Sequence, residues 1–259
     1  MNYNTLTVDN VNLFNTYGVY ISGNGTYKSA ARVFTLYSIP YNNGLLLGPE
    51  NHLENVDITY RCGIVRNFET NIAGLRDFLL SLNGYVEISD TYHTDEYRKG
   101  LYQGPFEPDV QAKLDGAEFD LTFNCMPQRF LNSGKTAITI NTTQVTLSNP
   151  TKQNAKPLIK ITGNSGNVSI WKTSTAGWSI TVSSTLSTST YPNFYVDCET
   201  MEAYSAANPS VKLNQYITIN EYGTSNFAVD YPVLLSPSCY AKRTGNITAA
   251  QITPRWWRA

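Results

Sequence analysis

The stretch VDITYRCGI, residues 56–64, alternates without a fault. Val56, Ile58, Tyr60, Cys62 and Ile64 fall on one side, and Asp57, Thr59, Arg61 and Gly63 on the other. Successive side chains of a strand point to opposite faces, so period two with one apolar side specifies a strand lying between a core and water. AEFDLTFNC, residues 117–125, repeats the pattern, with Phe119, Leu121, Phe123 and Cys125 directed inward and Glu118, Asp120, Thr122 and Asn124 outward. Two such strands commit the N-terminal half to a sheet. Residues 5–65 read as strands separated by turns, and YVEIS adds another strand. Gly23, Asn24 and Gly25 carry the chemistry of a hairpin turn.

One segment departs from period two. In TNIAGLRDFLLSLNGY, Ile72, Leu75, Leu79 and Leu82 recur at spacings of three, four and three, which is one face of a helix. Asn71 is placed to cap its first turn, and Gly84 to end it in a left-handed conformation. This is the only substantial helix expected, and it should cover an open face or edge of the sheet.

The composition changes after this half. Residues 121–196 contain no Asp or Glu, and nearly half of residues 131–190 are Ser, Thr or Asn. LNSGKT, residues 131–136, is the natural boundary, giving domains 1–133 and 134–251. Beyond it the chain reads as short strands: AITI, QVTL, PLIKITG, NVSIWKTS, WSITVSS, FYVDC, YITIN and AQITPRWW. Short strands with frequent polar turns indicate a β-sandwich. ETMEAYSAANP, residues 199–209, reads equally as a helical turn or a link between strands. The fold class is therefore mainly β in two domains, the first with one helix.

Charge narrows the function. Nineteen basic and 20 acidic residues in a chain of 259 give a net charge of −1. A nucleic-acid binder needs a basic excess to displace counterions from phosphates, and electrostatic membrane docking needs the same. Charged residues make up only 15% of the chain, well under the usual quarter, and 18 tyrosines help to fill the gap. Neutral, tyrosine-rich surfaces suit extended contact faces. MNYNTLTVDN has neither a basic n-region nor an apolar h-region, and no run approaches the ~20 apolar residues of a membrane span. The expectation is a chain made and folded in a cytoplasm, without membrane insertion. Its cysteines, Cys62, Cys125, Cys198 and Cys239, form no CxxC pair and read as free buried thiols.

Chemical motifs are sparse. SGKT at 133–136 resembles the tail of a phosphate-binding loop, but the required glycine is replaced by Arg129 and no helix follows. SDTYHTDEYRKG gathers Asp90, His93, Asp95 and Glu96, which reads better as a solvated loop than as a metal site. The second histidine, His52, lies in the turn-like GPENHLEN, and there is no Gly-x-Ser-x-Gly elbow. No catalytic residue, metal or cofactor is expected. Trp171 and Trp178 lie on adjacent strands of the second domain, where they either fill a sandwich core or stack on sugar rings. In CMPQRFLNSG, Pro127 ends a strand and Gln128 and Arg129 present polar groups at the domain junction.

Several segments taken together resemble a known family. VDITYRCGIV, the amphipathic helix, YVEISDTYHTDEYRKGLYQGPFEPDVQ, AEFDLTFNCMPQRFLNSG and the closing ITPRWW are similar in order and spacing to the distal tail (Dit) proteins of siphophages that infect Gram-positive bacteria. The resemblance covers nearly the whole chain and is weakest across 135–230. It implies a structural virion protein: a hexameric ring at the distal end of the tail, its first domain surrounding a channel through which DNA passes without specific binding. The second domain would be a galectin-like β-sandwich on the outside. The implied partners are the tail tube protein, the tail-associated fibre protein and, in some phages, receptor-binding proteins held by a long inserted arm. Residues 134–251 show no such arm. The implied location is the virion tail tip, after assembly in the host cytoplasm. A galectin-like fold does not by itself establish sugar binding. A carbohydrate-binding module that aids attachment to the host wall, using Trp171 or Trp178, is the alternative.

The end of the chain, ITPRWWRA, sets Trp256 and Trp257 between Arg255 and Arg258. Burying a tryptophan removes roughly 150–250 Å² from water, an upper bound near 4–6 kcal/mol. Ordering a short tail costs about 1–2 kcal/mol per residue, so this tail should be pinned down. The favoured expectation places both indoles at the domain junction or under a neighbouring subunit, with residues 252–259 completing the first domain and Arg255 and Arg258 reaching carboxylates at the rim. The simpler alternative has one Trp completing its own sandwich and the other half exposed.

Overall fold

The computed structural model describes residues 3–23, 26–64, 67–111, 116–173, 176–223 and 231–259. The protein is mainly β and divides into two units, Met1–Arg129 with Ala259, and Phe130–Arg258. The boundary lies slightly before the expected one at 133/134, and Ile252–Arg258 belongs to the second unit. None of the helices among the described residues is long and apolar enough to cross a membrane.

The first unit contains β1 (Leu6–Val8), β2 (Val11–Asn12), α1 (Leu13–Tyr17), β3 (Val19–Ser22), β4 (Arg32–Ser38), β5 (Leu45–Leu53), β6 (Val56–Ile64), α2 (Phe68–Ser81), β7 (Val86–Asp90), β8 (Glu96–Tyr102), β9 (Asp109–Gln111) and β10 (Gly116–Cys125). Its main sheet runs β2-β1-β7-β8-β10-β6-β3, with β9 also paired to β10. A bridge between Asn4 and Ile21 brings the β1 end of this path round to β3, so the sheet curls. At its centre β10 and β6 pair antiparallel over nine positions, with Leu121 opposite Tyr60.

The alternation decides this pairing. Val56, Ile58, Tyr60, Cys62 and Ile64 are buried beside Phe119, Leu121, Phe123 and Cys125 in one core. On the other face Thr59 and Thr122 share a hydroxyl hydrogen bond of 2.8 Å, and the Asn124 amide donates to Asp57 at 2.8 Å. Gly63 is the exception to the outward set. It is buried because the Tyr20 ring lies where its Cβ would be.

Helix α2 buries Leu75 and Leu79, with Ile72 and Leu82 partly buried against the same core. It begins earlier than expected. Phe68, four residues before Ile72, extends the apolar face, so the cap falls at Asn67 and Asn71 lies inside the helix. Gly84, at φ 73°, follows its end. The five-residue α1 stands where only strands and turns are expected. The Asn12 side chain accepts from the Asn15 N–H at 3.0 Å, and left-handed Gly18 closes the helix. Of the expected hairpin at Gly23–Gly25, Asn24 and Gly25 lie outside the described residues. The next strand, β4, pairs with β5 in a separate two-stranded ribbon, while β3 pairs with β6.

Most of the second unit is one eight-stranded sheet bent over its own core, and its first and last strands pair with each other outside that sheet. Its strands are β11 (Arg129–Leu131), which the division crosses, β12 (Ile138–Ile140), β13 (Val145–Ser148), β14 (Leu158–Thr173), β15 (Ala176–Val182), β16 (Asn193–Asp197), β17 (Glu202–Ser205), β18 (Ile217–Gly223), β19 (Ser238–Thr253) and β20 (Trp257–Arg258). Two expected strands, PLIKITG and NVSIWKTS, are a single strand, β14, whose 16 residues pair with the 16 of β19. The register shifts around Gly163 and Gly166 mark the bend. Gly163 has φ 110°, and a Cβ there would collide with the carbonyl of Asn246. On one side of the bend β14 pairs with β15 and β19 with β13; on the other β14 pairs with β16 and β19 with β12. Ile159, Ile161, Phe194 and Val196 from one half meet Val168, Ile170, Ile180 and Val182 from the other in a single core. ETMEAYSAANP contains no helix, because its first residues form the tight turn between β16 and β17.

Candidate assembly interface

The β4–β5 ribbon is the most exposed apolar element among the described residues. Leu45, Leu46 and Leu47 are 60%, 55% and 56% exposed, and Phe34, Leu36, Tyr37, Ile39 and Tyr41 are exposed beside them. Gly48 permits the crossing, since a Cβ would sit 2.8 Å from the Tyr37 ring. An isolated two-stranded ribbon is marginal in water, and its two unpaired edges invite a further strand. A ribbon that also turns eight large apolar side chains outward is built to be covered.

The SDTYHTDEYR segment holds a polar network in the first unit. Asp90 Oδ1 accepts from the backbone N–H groups of Tyr92 and His93, both at 2.9 Å, while Oδ2 accepts from the Tyr60 hydroxyl at 2.9 Å. Burial, reinforced by the Asp90 charge, raises the Tyr60 phenol well above its ordinary value. Glu96 forms an ion pair of 2.6 Å with Arg129, both largely shielded from water. Arg98 is buried and donates to the Lys28 carbonyl at 3.1 Å. Burial, then the nearby Arg129 charge, lower its guanidinium from the ordinary value. Asp90 and Glu96 are thus engaged by protein groups. Among the described residues no set of His, Cys, Asp and Glu is grouped to hold a metal. Arg129 therefore locks β8, while Gln128 beside it is half-buried with its Oε1 unpaired. On the outer side of β10, Glu107, Asp109, Glu118 and Asp120 line a cleft of about 560 Å³ with Arg61, which pairs with Glu118 at 2.8 Å.

The C-terminal tail packs inside the second unit. Trp256 is 4% exposed within that unit's core, and its carbonyl accepts from the Leu131 N–H at 2.8 Å. Trp257 is half-buried against the same core, and its indole N–H donates to the Asn154 carbonyl at 2.9 Å. This is the simpler of the two arrangements, one indole inside its own sheet and the other half covered. The reason lies in Gly134: a Cβ there would strike the Trp256 backbone, so the glycine lets the tail lie against the start of the unit. Arg255 adopts φ 57° and grips Asp197 with two hydrogen bonds, Nη1 to Oδ1 at 2.7 Å and Nη2 to Oδ2 at 2.9 Å, with Glu199 at 3.4 Å. Burial alone would raise the Asp197 carboxyl; the hydrogen bonds and charge of Arg255 outweigh it and hold the group below the usual carboxylate range. Arg258 is exposed.

The two tryptophans read either as core or as sugar-stacking residues part company. Trp171 sits opposite Gly177, and Trp178 opposite Ile170, so the two indoles fall on opposite faces of the sheet. Trp178 is 1% exposed among Val233, Leu235 and Ile219, and a buried indole offers no stacking face; for Trp178 the sugar reading is corrected to core. Trp171 is half-exposed beside Tyr240. The four cysteines are free and buried, and burial pushes their thiols up, to about 11 for Cys125 and Cys239 and further for Cys62 and Cys198.

No protein-family model and no curated protein matches the sequence. Solved structures do. The crystal structure of the Dit (gp 19.1) protein of phage SPP1 superposes with a TM-score of 0.66 at 12% identity, covering 97% of this chain and 98% of that one. A chain of the phage P2 baseplate in its activated conformation gives a TM-score of 0.54 at 9% identity, covering 96% of each. Along essentially its whole length, the chain therefore has the fold of the phage SPP1 Dit protein.

Proposed function

We infer that the chain is a structural virion protein, the hub at the distal end of a long phage tail. In this reading six copies form a ring that leaves a channel for DNA and joins the tail tube protein to tail-associated fibre and adhesion components. The observation that carries it is the whole-length likeness to a protein described as a paradigm of the hub adsorption apparatus in phages infecting Gram-positive bacteria. Both units take part in that likeness. The exposed ribbon supports self-assembly, because an apolar strand pair with open edges is best covered by a second copy of the chain. The net charge of −1 and the carboxylates that line the cleft offer DNA phosphates little attraction, which suits a passage rather than a binding site. The engaged carboxylates and buried thiols suit a protein that works by assembly without a cofactor.

Sizing the purified chain tests this reading. The expected particle has a mass near six times 28.9 kDa and appears as a ring in negative stain. Immunogold label on intact particles should fall at the tail tip. A chain that stays monomeric at high concentration and never joins tails refutes it.

A further inference from the structure

The half of the second unit's sheet built from β13, β14, β15 and β19 has one face in the core and one in water. Val168 and Ile170 of β14 are buried, as are Cys239 and Ala241 of β19. Trp171 and Ser169, and across from them Tyr240 and Lys242, therefore share the outer face. The Trp171 and Tyr240 rings lie 6.0 Å apart with their planes tilted by 39°, and Lys242 Nζ stands 5.8 Å from the Trp171 ring centre. On β15 the residue opposite Trp171 is Gly177, which lets the two strands pair closely there; a Cβ on it would lie 2.6 Å from Trp171 Cβ. Further along the face come the hydroxyls of Ser179 and Thr146. None of these four strands contains an Asp or Glu.

Two tilted aromatic rings bordered by hydroxyls match the alternating apolar faces and hydroxyl rims of a sugar chain, since an aromatic ring offers a large flat apolar surface at low entropic cost. The charge is one-sided as well: a lysine stands at the aromatic pair with no carboxylate on these strands to oppose it, so the complementary ligand is anionic. We propose that this face binds an acidic glycan. Sugar rings lie on Trp171 and Tyr240, and a phosphate or carboxylate of the polymer meets Lys242.

The test uses the full chain in affinity electrophoresis through gels holding one of three polymers: dextran, polygalacturonate or glucosylated poly(glycerol phosphate). At least one acidic polymer should retard the chain about tenfold more strongly than dextran, and whether it is polygalacturonate or the phosphate polymer identifies the anionic group. Trp171→Ala should abolish the retardation, and Lys242→Gln should weaken it about tenfold. Tyr240→Ala, also on the surface, replaces the tryptophan variant if that one fails to fold. No retardation by either acidic polymer, dextran retarding equally, or variants that migrate like the parent chain would overturn the proposal.

Discussion

On the proposed assembly, replacing Leu45, Leu46 and Leu47 together by Ser should dissolve the proposed ring without unfolding its subunits. Complete burial of a leucine side chain contributes about 1.5–3 kcal/mol. With just over half of each side chain exposed in the single chain, about 1–1.5 kcal/mol per leucine is left for a partner to supply. Three together come to about 3–4 kcal/mol per contact, or two to three powers of ten in dissociation constant. The cost to the isolated chain is small, because exposed positions away from caps and cores change stability by about 0.5 kcal/mol or less. Mass photometry from nanomolar to micromolar concentration, paired with a thermal melt, reads both quantities. The variant should remain a single chain where the parent forms rings, and should melt at nearly the temperature of the parent diluted to single chains. A variant that still assembles at the parent's concentration shows that the ribbon does not join the copies. One that melts far below the dissociated parent shows that the ribbon belongs to the subunit's own fold.

Trp256→Ala should destabilise the second unit by about 3–5 kcal/mol in a denaturant titration, the usual cost of emptying a buried indole site, whereas Trp257→Phe should lose only about 1 kcal/mol with its bond to Asn154. Because the Asp197 carboxyl is held below its unfolded value, its contribution is complete above about pH 5 and fades as pH falls through the lowered folded value. Asp197→Asn should accordingly flatten the acid limb of the stability–pH curve while lowering stability at neutral pH. Ellman's reagent at pH 8 should label none of the four thiols in the native chain and all four in denaturant, since burial keeps them neutral and out of reach.

The strands with one face in water were legible because period two writes burial directly into the sequence, and Val56–Ile64 against Gly116–Cys125 is the plainest case. Helix α2 was legible by its face but not by its start, because Asn71 offered a cap signal inside a face that in fact runs back to Phe68. A glycine inside a strand looks like a turn, so Gly163 and Gly166 split β14 into two apparent strands; only the partner strand reveals that the pairing continues through the bend. The faces of Trp171 and Trp178 depended on hairpin register, which Gly177 settles and which no spacing in one strand displays. The β4–β5 leucines carry no period at all, and their exposure becomes visible only once every other strand has found a place in a sheet. Arg255 was expected to meet a carboxylate, but Asp197 lies 58 positions earlier in the chain and could not have been named.

Leu131 and Trp256 are hydrogen-bonded neighbours, so the chain enters and leaves its second unit at nearly one spot. A module whose two ends meet behaves as a cassette. Its first and last strands are thereby held as one seam, closed by the bond from the Leu131 N–H to the Trp256 carbonyl.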